Sequence, residues 1–177
     1  MFTRFRRTVA ASAAVIALGA GGAAWAASAA SAAATPTAVS RCTYNDLAVW
    51  VNADAADTTA GTVTYPLELT NVGRGTCALE GFPGVQASTL GRVRLGAPAA
   101  RLYGVPATVV DLPPGATAHA TIQYIGSRVV PGCKPDKAGF LAVYAPDATV
   151  AKRAFFPLPV CTTGRVDLTV RRVKAGF

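Results

Sequence analysis

From residue 47 onward, apolar and polar side chains alternate with a period of two along most of the chain, the mark of strands with one covered face. Leu47, Val49 and Val51 form the inward side of a first strand, and Trp50 falls on the opposite face. Asn52 to Gly61 reads as a polar loop. The clearest strand follows, with Val63, Tyr65, Leu67 and Leu69 inward and Thr64, Glu68 and Thr70 outward. Pro66 predicts an edge position or a bulge there, because proline donates nothing to a ladder. After the Asn71-Val72-Gly73 turn, the glycines and prolines of Leu79 to Val85 predict tight turns around a buried Phe82. Short strands are expected near 92–95 and 105–112. Beyond the Leu112-Pro113-Pro114-Gly115 turn, Ala116, Ala118, Ala120, Ile122 and Tyr124 face one side, and Thr117, His119, Thr121 and Gln123 the other. Phe140 to Ala145 is apolar on both faces, which predicts a central strand. Pro157 and Pro159 place 154–160 at an edge, and Val166, Leu168 and Val170 close the fold. About nine strands with no helical period predict an all-β, antiparallel two-sheet sandwich over residues 42–172, with 173–177 as a tail.

Composition sharpens this picture. Only 15% of the 177 residues are charged, against roughly 25% in an ordinary soluble domain. Seventeen Gly and twelve Pro favour turns over helices. One histidine and no closely spaced cysteine pair leave zinc, haem and dithiol redox chemistry without their ligands.

The first 34 residues read differently. Arg4, Arg6 and Arg7 form a basic start, Thr8 to Ala20 is an apolar stretch of signal-peptide length, and small residues from Ala24 to Ala34 offer cleavage sites after Ala26 to Ala34. A membrane span needs about 20 apolar residues, and glycines interrupt this one, so an uncleaved anchor is the weaker reading. A lipoprotein is weaker still, because the first cysteine, Cys42, follows Arg41 far downstream. Arg6-Arg7 leaves general or twin-arginine export open. Residues 35–41 are a Thr/Pro/Ala/Ser linker. The formal charge of +8 loses the three arginines of the leader and becomes +5. Arg171, Arg172 and Lys174 are too few for a nucleic-acid groove. They read as a solvated basic terminus with weak attraction to an anionic envelope.

Export places Cys42, Cys77, Cys133 and Cys161 in an oxidising space, where an even count implies two disulfides. Three pairings are formally open. Cys42 with Cys77 and Cys133 with Cys161 is favoured, since each pair then brackets one or two strand-like segments without enclosing the other. Loops of that size stabilise by about 3–4 kcal/mol each in the chain-entropy account.

Several segments together resemble a known family. Cys42 before the first strand, Tyr65 to Gly73, Cys77-Ala78-Leu79-Glu80-Gly81-Phe82-Pro83-Gly84-Val85, the Leu112 to Ala118 turn and strand, and Cys133 and Cys161 resemble the actinobacterial secreted family called domain of unknown function 4232, over roughly residues 41–171. The resemblance implies an immunoglobulin-like sandwich in the cell envelope or outside the cell. It implies no reaction, since the family carries no assigned activity or catalytic residues.

Candidate chemistry is sparse. His119, with Asp111 or Ser127 nearby in sequence, would be a general base, but it sits among Thr and Ala on a polar strand face with neither nucleophile nor orienting partner marked. Asn52, Asp54 and Asp57 would offer oxygens to calcium, though two carboxylates fall short of its usual set. Trp50 beside Tyr44 is either a stacking platform for a ring ligand or core, and the sequence leaves this open. No catalytic, cofactor or metal residue is assigned. The expected protein is a secreted, non-enzymatic envelope module that binds an anionic wall polymer or an envelope protein, with no nucleic acid and no membrane span after leader removal. A small secreted hydrolase without a G-x-S-x-G motif and a purely structural spacer are the alternatives. Intact-mass measurement of the exported protein is expected to show a chain beginning after Ala26 or later; a mass retaining Met1 would make the leader an anchor.

Overall fold

The computed structural model describes residues 38–163 and 167–176. The leader, the start of the linker and Val166 therefore lie outside the described residues. Among the described residues twelve strands run in chain order: β1 (Leu47–Val51), β2 (Asp57–Thr59), β3 (Thr62–Asn71), β4 (Cys77–Glu80), β5 (Gly84–Ser88) and β6 (Ala100–Arg101). They continue with β7 (Val109–Leu112), β8 (Thr117–Ile125), β9 (Pro135–Tyr144), β10 (Ala151–Cys161), β11 (Leu168–Val170) and β12 (Lys174–Ala175). Single 3-10 turns at Tyr44–Asp46 and Ser127–Val129 are the helical elements among the described residues.

The fold is all-β, but it is not two purely antiparallel sheets. One sheet is built on the β3–β8 pair, with β1 and β2 sharing the free side of β3, and β11 and β12 sharing that of β8. Beyond β11 lies β6, and that pair is parallel. A second sheet has the order β10-β9-β5, and β4 pairs with β7 separately. Alternation along a strand carries no information about direction. The long excursion from β5 across residues 89–99 is what lets the chain enter β6 pointing the same way as β11.

The inward positions of these strands share one apolar core. Leu67 and Leu69 of β3, Ala118, Ala120 and Ile122 of β8, Leu141 and Val143 of β9, Phe156 and Val160 of β10, and Leu168 and Val170 of β11 are all buried. Tyr65 and Phe156 meet edge to face across it, 4.8 Å between centroids. Tyr124 also joins the sheets, donating to Pro159 O at 2.6 Å and accepting from the Ser127 N–H at 3.1 Å.

Several local expectations need correction. Pro66 stands in the interior of β3, in continuous register opposite Thr121, with no bulge. Its carbonyl accepts from Asn52 N at 2.9 Å, so its ring nitrogen faces the same side, where β1 has ended at Val51 and β2 has not begun; the missing donor falls in a gap between strands. Residues 92–95 contribute only a bridge between Ser88 and Arg94, although Leu95 is buried. The loop after Asn52 contains β2, and of residues 105–112 only Val109–Leu112 is strand. Glu68, expected outward and solvated, is buried and accepts from Asn52 Nδ2 at 2.8 Å. Phe82 is only half-buried. β9 is central and β10 an edge, with an irregularity between Phe155 and Leu158 where Pro157 stands.

Two bridges fasten the periphery. Cys42 is bonded to Cys77, beside a backbone exchange in which Ala78 N–H reaches Ser40 O and Cys42 N–H reaches Ala78 O. Cys133 is bonded to Cys161, whose N–H donates to the buried Asp167 carboxylate at 2.6 Å. The loop before β6 closes on the same place. Gly96, at a φ of +63°, lies so near the Cys161 carbonyl that a Cβ would stand 2.0 Å from its oxygen, and no other residue fits there.

The Asn71 side chain, with 0% exposure, joins three segments. Its Nδ2 donates to Gly75 O (2.8 Å) and Leu112 O (2.7 Å), and its Oδ1 accepts from Gly73 N (2.8 Å). Asn71→Ala is expected to cost about 2–5 kcal/mol in urea unfolding, because buried backbone groups lose their partners. Asn71→Asp should be of similar severity, since a carboxylate has nothing to donate.

Candidate functional site

The described end of the chain does not behave as a solvated tail. Val173 is buried, its N–H donates to Gly81 O, and Lys174–Ala175 pairs with His119 and Ala118 of β8. This pairing fixes the three cations of the segment against the body of the fold. Arg172 donates through Nη1 to Val105 O. Its guanidinium carbon lies 4.9 Å from the Phe82 ring centroid and 5.9 Å from that of Tyr103. Phe82 and Tyr103 meet edge to face at 4.9 Å, and Arg101 stands 5.7 Å from Phe82 on β6. Tyr103 is 65% exposed. A cation over an aromatic face gains about 0.5–1 kcal/mol at an exposed site and more when desolvated, so the rings hold the guanidinium groups without neutralising them.

Arg101, Arg171, Arg172 and Lys174 form no ion pair among the described residues; both pairs found there belong to Arg41, with Glu80 and Asp147. The result is a group of cations without an ion-pair partner among the described residues, two of whose guanidinium groups stand against aromatic rings. Beside it a cleft of about 40 Å³ is lined by Leu102, Val105, Thr108, Arg171, Arg172 and Lys174 among others.

The residues considered for catalysis are not assembled. His119 lies near the start of β8, between Glu68 of β3 and Lys174 of β12. Ser127 lies beyond the end of β8, whose last residue, Ile125, is about 20 Å from His119 at the rise of an extended strand, and its N–H is held by Tyr124. Asp111 is in β7, opposite Ala78. Burial first, and then the Lys174 ammonium, push the His119 imidazole below its ordinary value of 6.5, with Glu68 acting in the opposite direction.

Asn52 and Asp57 are likewise drawn into structure, and Asp54 stands exposed in the turn between them. Asn52 Oδ1 accepts from Ala55 N while its amide holds Glu68, and Asp57 opens β2 opposite Thr64. Among the described residues, no three His, Cys, Asp or Glu side chains converge to hold a metal ion. Trp50 is not core: it is 40% exposed, on β1 opposite Glu68. Tyr44 stands apart from it, with Lys152 Nζ 3.8 Å above its ring.

The family profile for a domain of unknown function matches residues 42–175. The chain belongs to that family, DUF4232. No curated protein and no solved structure matches it. The match runs through Lys174, so the basic segment lies within the DUF4232 domain. Arg101 and Tyr103 escaped the sequence reading, which took Phe82 only as a buried turn residue, and only Arg171, Arg172 and Lys174 pointed toward this patch. A ring and a guanidinium ninety residues apart carry no mark of their meeting until β6, β11 and β12 are placed.

Because His119 has a lowered imidazole pKa in the folded protein, the unfolded chain takes up its proton first as pH falls. Stability should therefore decline as pH drops below 6.5, down to the folded-state value, and His119→Gln should lose that part of the slope. Paired unfolding curves between pH 7 and pH 4.5 measure the difference.

Proposed function

We propose that the chain is an exported, immunoglobulin-like β-sandwich module of an actinobacterial cell envelope, one that binds an anionic wall polymer without transforming it. The observation that carries this reading is the placing of Arg101 and Arg172 against Phe82 and Tyr103, with Arg171 and Lys174 beside Arg172 in the adjoining cleft and no ion pair to any of the four among the described residues. Cations free of internal partners are available to an external anion, and an exposed tyrosine ring offers a stacking face to a sugar or polyol. Membership of DUF4232 supports the sandwich reading, and two disulfides suit an oxidising compartment outside the cytoplasm. Among the described residues no helix is long and apolar enough to cross a membrane. In this reading wall association rests on the surface patch.

Co-sedimentation with isolated cell walls tests the reading. Retention should fall as salt rises, since exposed charges are screened beyond about 8 Å at physiological ionic strength. The double variant Arg101→Ala/Arg171→Ala should bind roughly 2- to 5-fold more weakly per charge removed at low salt, from about 0.5–1 kcal/mol per exposed contact. Equal retention of variant and parent at every salt concentration would remove the patch from the account.

A further inference from the structure

The Arg172 side chain is only partly satisfied by the fold. Nη1 is committed to Val105 O and the guanidinium plane to the Phe82 and Tyr103 rings, yet Nε is buried and has no hydrogen-bond partner. A buried charged donor left unmet is costly; Nε itself is closed to solvent, so an anion in the cleft that Arg172 lines would relieve that cost through its charge and not by bonding Nε. The neighbouring cleft is small, about 40 Å³, and brings Arg171, Lys174 and Thr108 to the same place as Arg172. No carboxylate of the described residues lines it. The enclosed part accepts a few atoms. What fits on size and charge is one oxyanionic group, with the bulk of its carrier left outside.

We infer that this cleft is the seat for a single phosphodiester or carboxylate group of the polymer proposed above, held by Arg172, Arg171, Lys174 and the Thr108 hydroxyl. The inference rests on the envelope-binding reading for the identity of the carrier, but the anion seat is testable without it. A guanidinium offers donors in a fixed planar fork that matches two oxygens of one anion, which an ammonium cannot reproduce. The aromatic pair holds that fork in place before the anion arrives, so little side-chain freedom remains to be lost on binding. Polymer beyond the seat would run outward past Tyr103 and Arg101, where an exposed ring and a further cation stand together.

The direct probe is the Arg172 Nε–H resonance of the full exported protein, titrated with inorganic phosphate and, separately, with acetate at constant ionic strength. Saturable movement of that resonance is expected. Saturation at lower phosphate concentration assigns a phosphodiester, and saturation at lower acetate concentration assigns a carboxylate. Arg172→Lys should weaken anion binding about tenfold while keeping the charge. Thr108→Val leaves the aromatic stack untouched and should weaken binding by a smaller factor, so the idea stays testable if the lysine variant folds poorly. Anion binding that never saturates, or equal binding by parent, Arg172→Lys and Thr108→Val, would overturn the seat. Wall co-sedimentation separates the two readings. A protein that binds phosphate at Arg172 but ignores walls keeps the seat and loses the envelope role, whereas wall retention with an unresponsive Arg172 does the reverse.

Discussion

A single buried carboxamide organises this fold. Asn71 ends β3, and its side chain is the common partner of backbone groups from the turn leading to Cys77 and from the end of β7. Its main chain adds two more bonds, donating to Ala116 O and accepting from Gly115 N. Only a side chain that donates twice and accepts once, at this length, meets all three side-chain requirements. The neighbouring turn is held just as closely. Val72 N–H reaches Asp46 O, and Gly73 lies so near the Asp46 carboxylate that a Cβ would come within 2.8 Å of its Oδ1. That carboxylate is itself engaged by the Thr43 N–H and hydroxyl, which lower its pKa. Beginning, middle and later strands are thus tied at one point before any apolar packing is counted.

The β7–β8 connection inherits its geometry from that point. Once Leu112 O and Gly115 N are held by Asn71, β8 must start at Thr117 and pair with β3 in the observed register, as the Thr70–Thr117 hydroxyl contact at 2.7 Å attests. The far edge of β8 then provides the track for β11 and β12. Arg172 is carried to Phe82 by this chain of pairings, since Val173 N–H bonds Gly81 O next to that ring. The basic patch is a product of the scaffold, and its residues belong to the core-bearing part of the chain.

Alternation along Tyr65 to Leu69 and Ala118 to Tyr124 was readable because those strands have one buried and one polar face, so period two maps onto inside and outside. Phe140 to Ala145 was read as a central strand and β9 does lie between β10 and β5, yet lateral neighbours do not cover both faces: Leu141 and Val143 are buried, whereas Phe140, Ala142 and Tyr144 are only partly so. Pro66 misled because a missing donor harms a central strand only where a neighbour would accept from it, and the gap between β1 and β2 is invisible locally. Glu68 misled similarly, its burial depending on Asn52 folding back across the sheet. The candidate site was least legible. Arg171, Arg172 and Lys174 look like an ordinary charged end until the pairing of β12 shows that they are anchored, and nothing near Phe82 in sequence announces Tyr103 or Arg101.

The sheet margins have a consequence for how copies of this domain behave when crowded. β10 is an outer strand whose irregularity contains Pro157 and whose pairing register includes Pro159, so part of its backbone has no N–H to offer. β5 is overlaid by the following loop, with Leu95 N–H bonded to Ala87 O and Ala99 N–H to Val85 O. β6 is two residues long. None of these margins presents a long, flat row of unsatisfied amides, the template on which foreign strands add. Neighbouring molecules gathered on one surface would therefore stay discrete, resisting intermolecular strand exchange without help from charge repulsion.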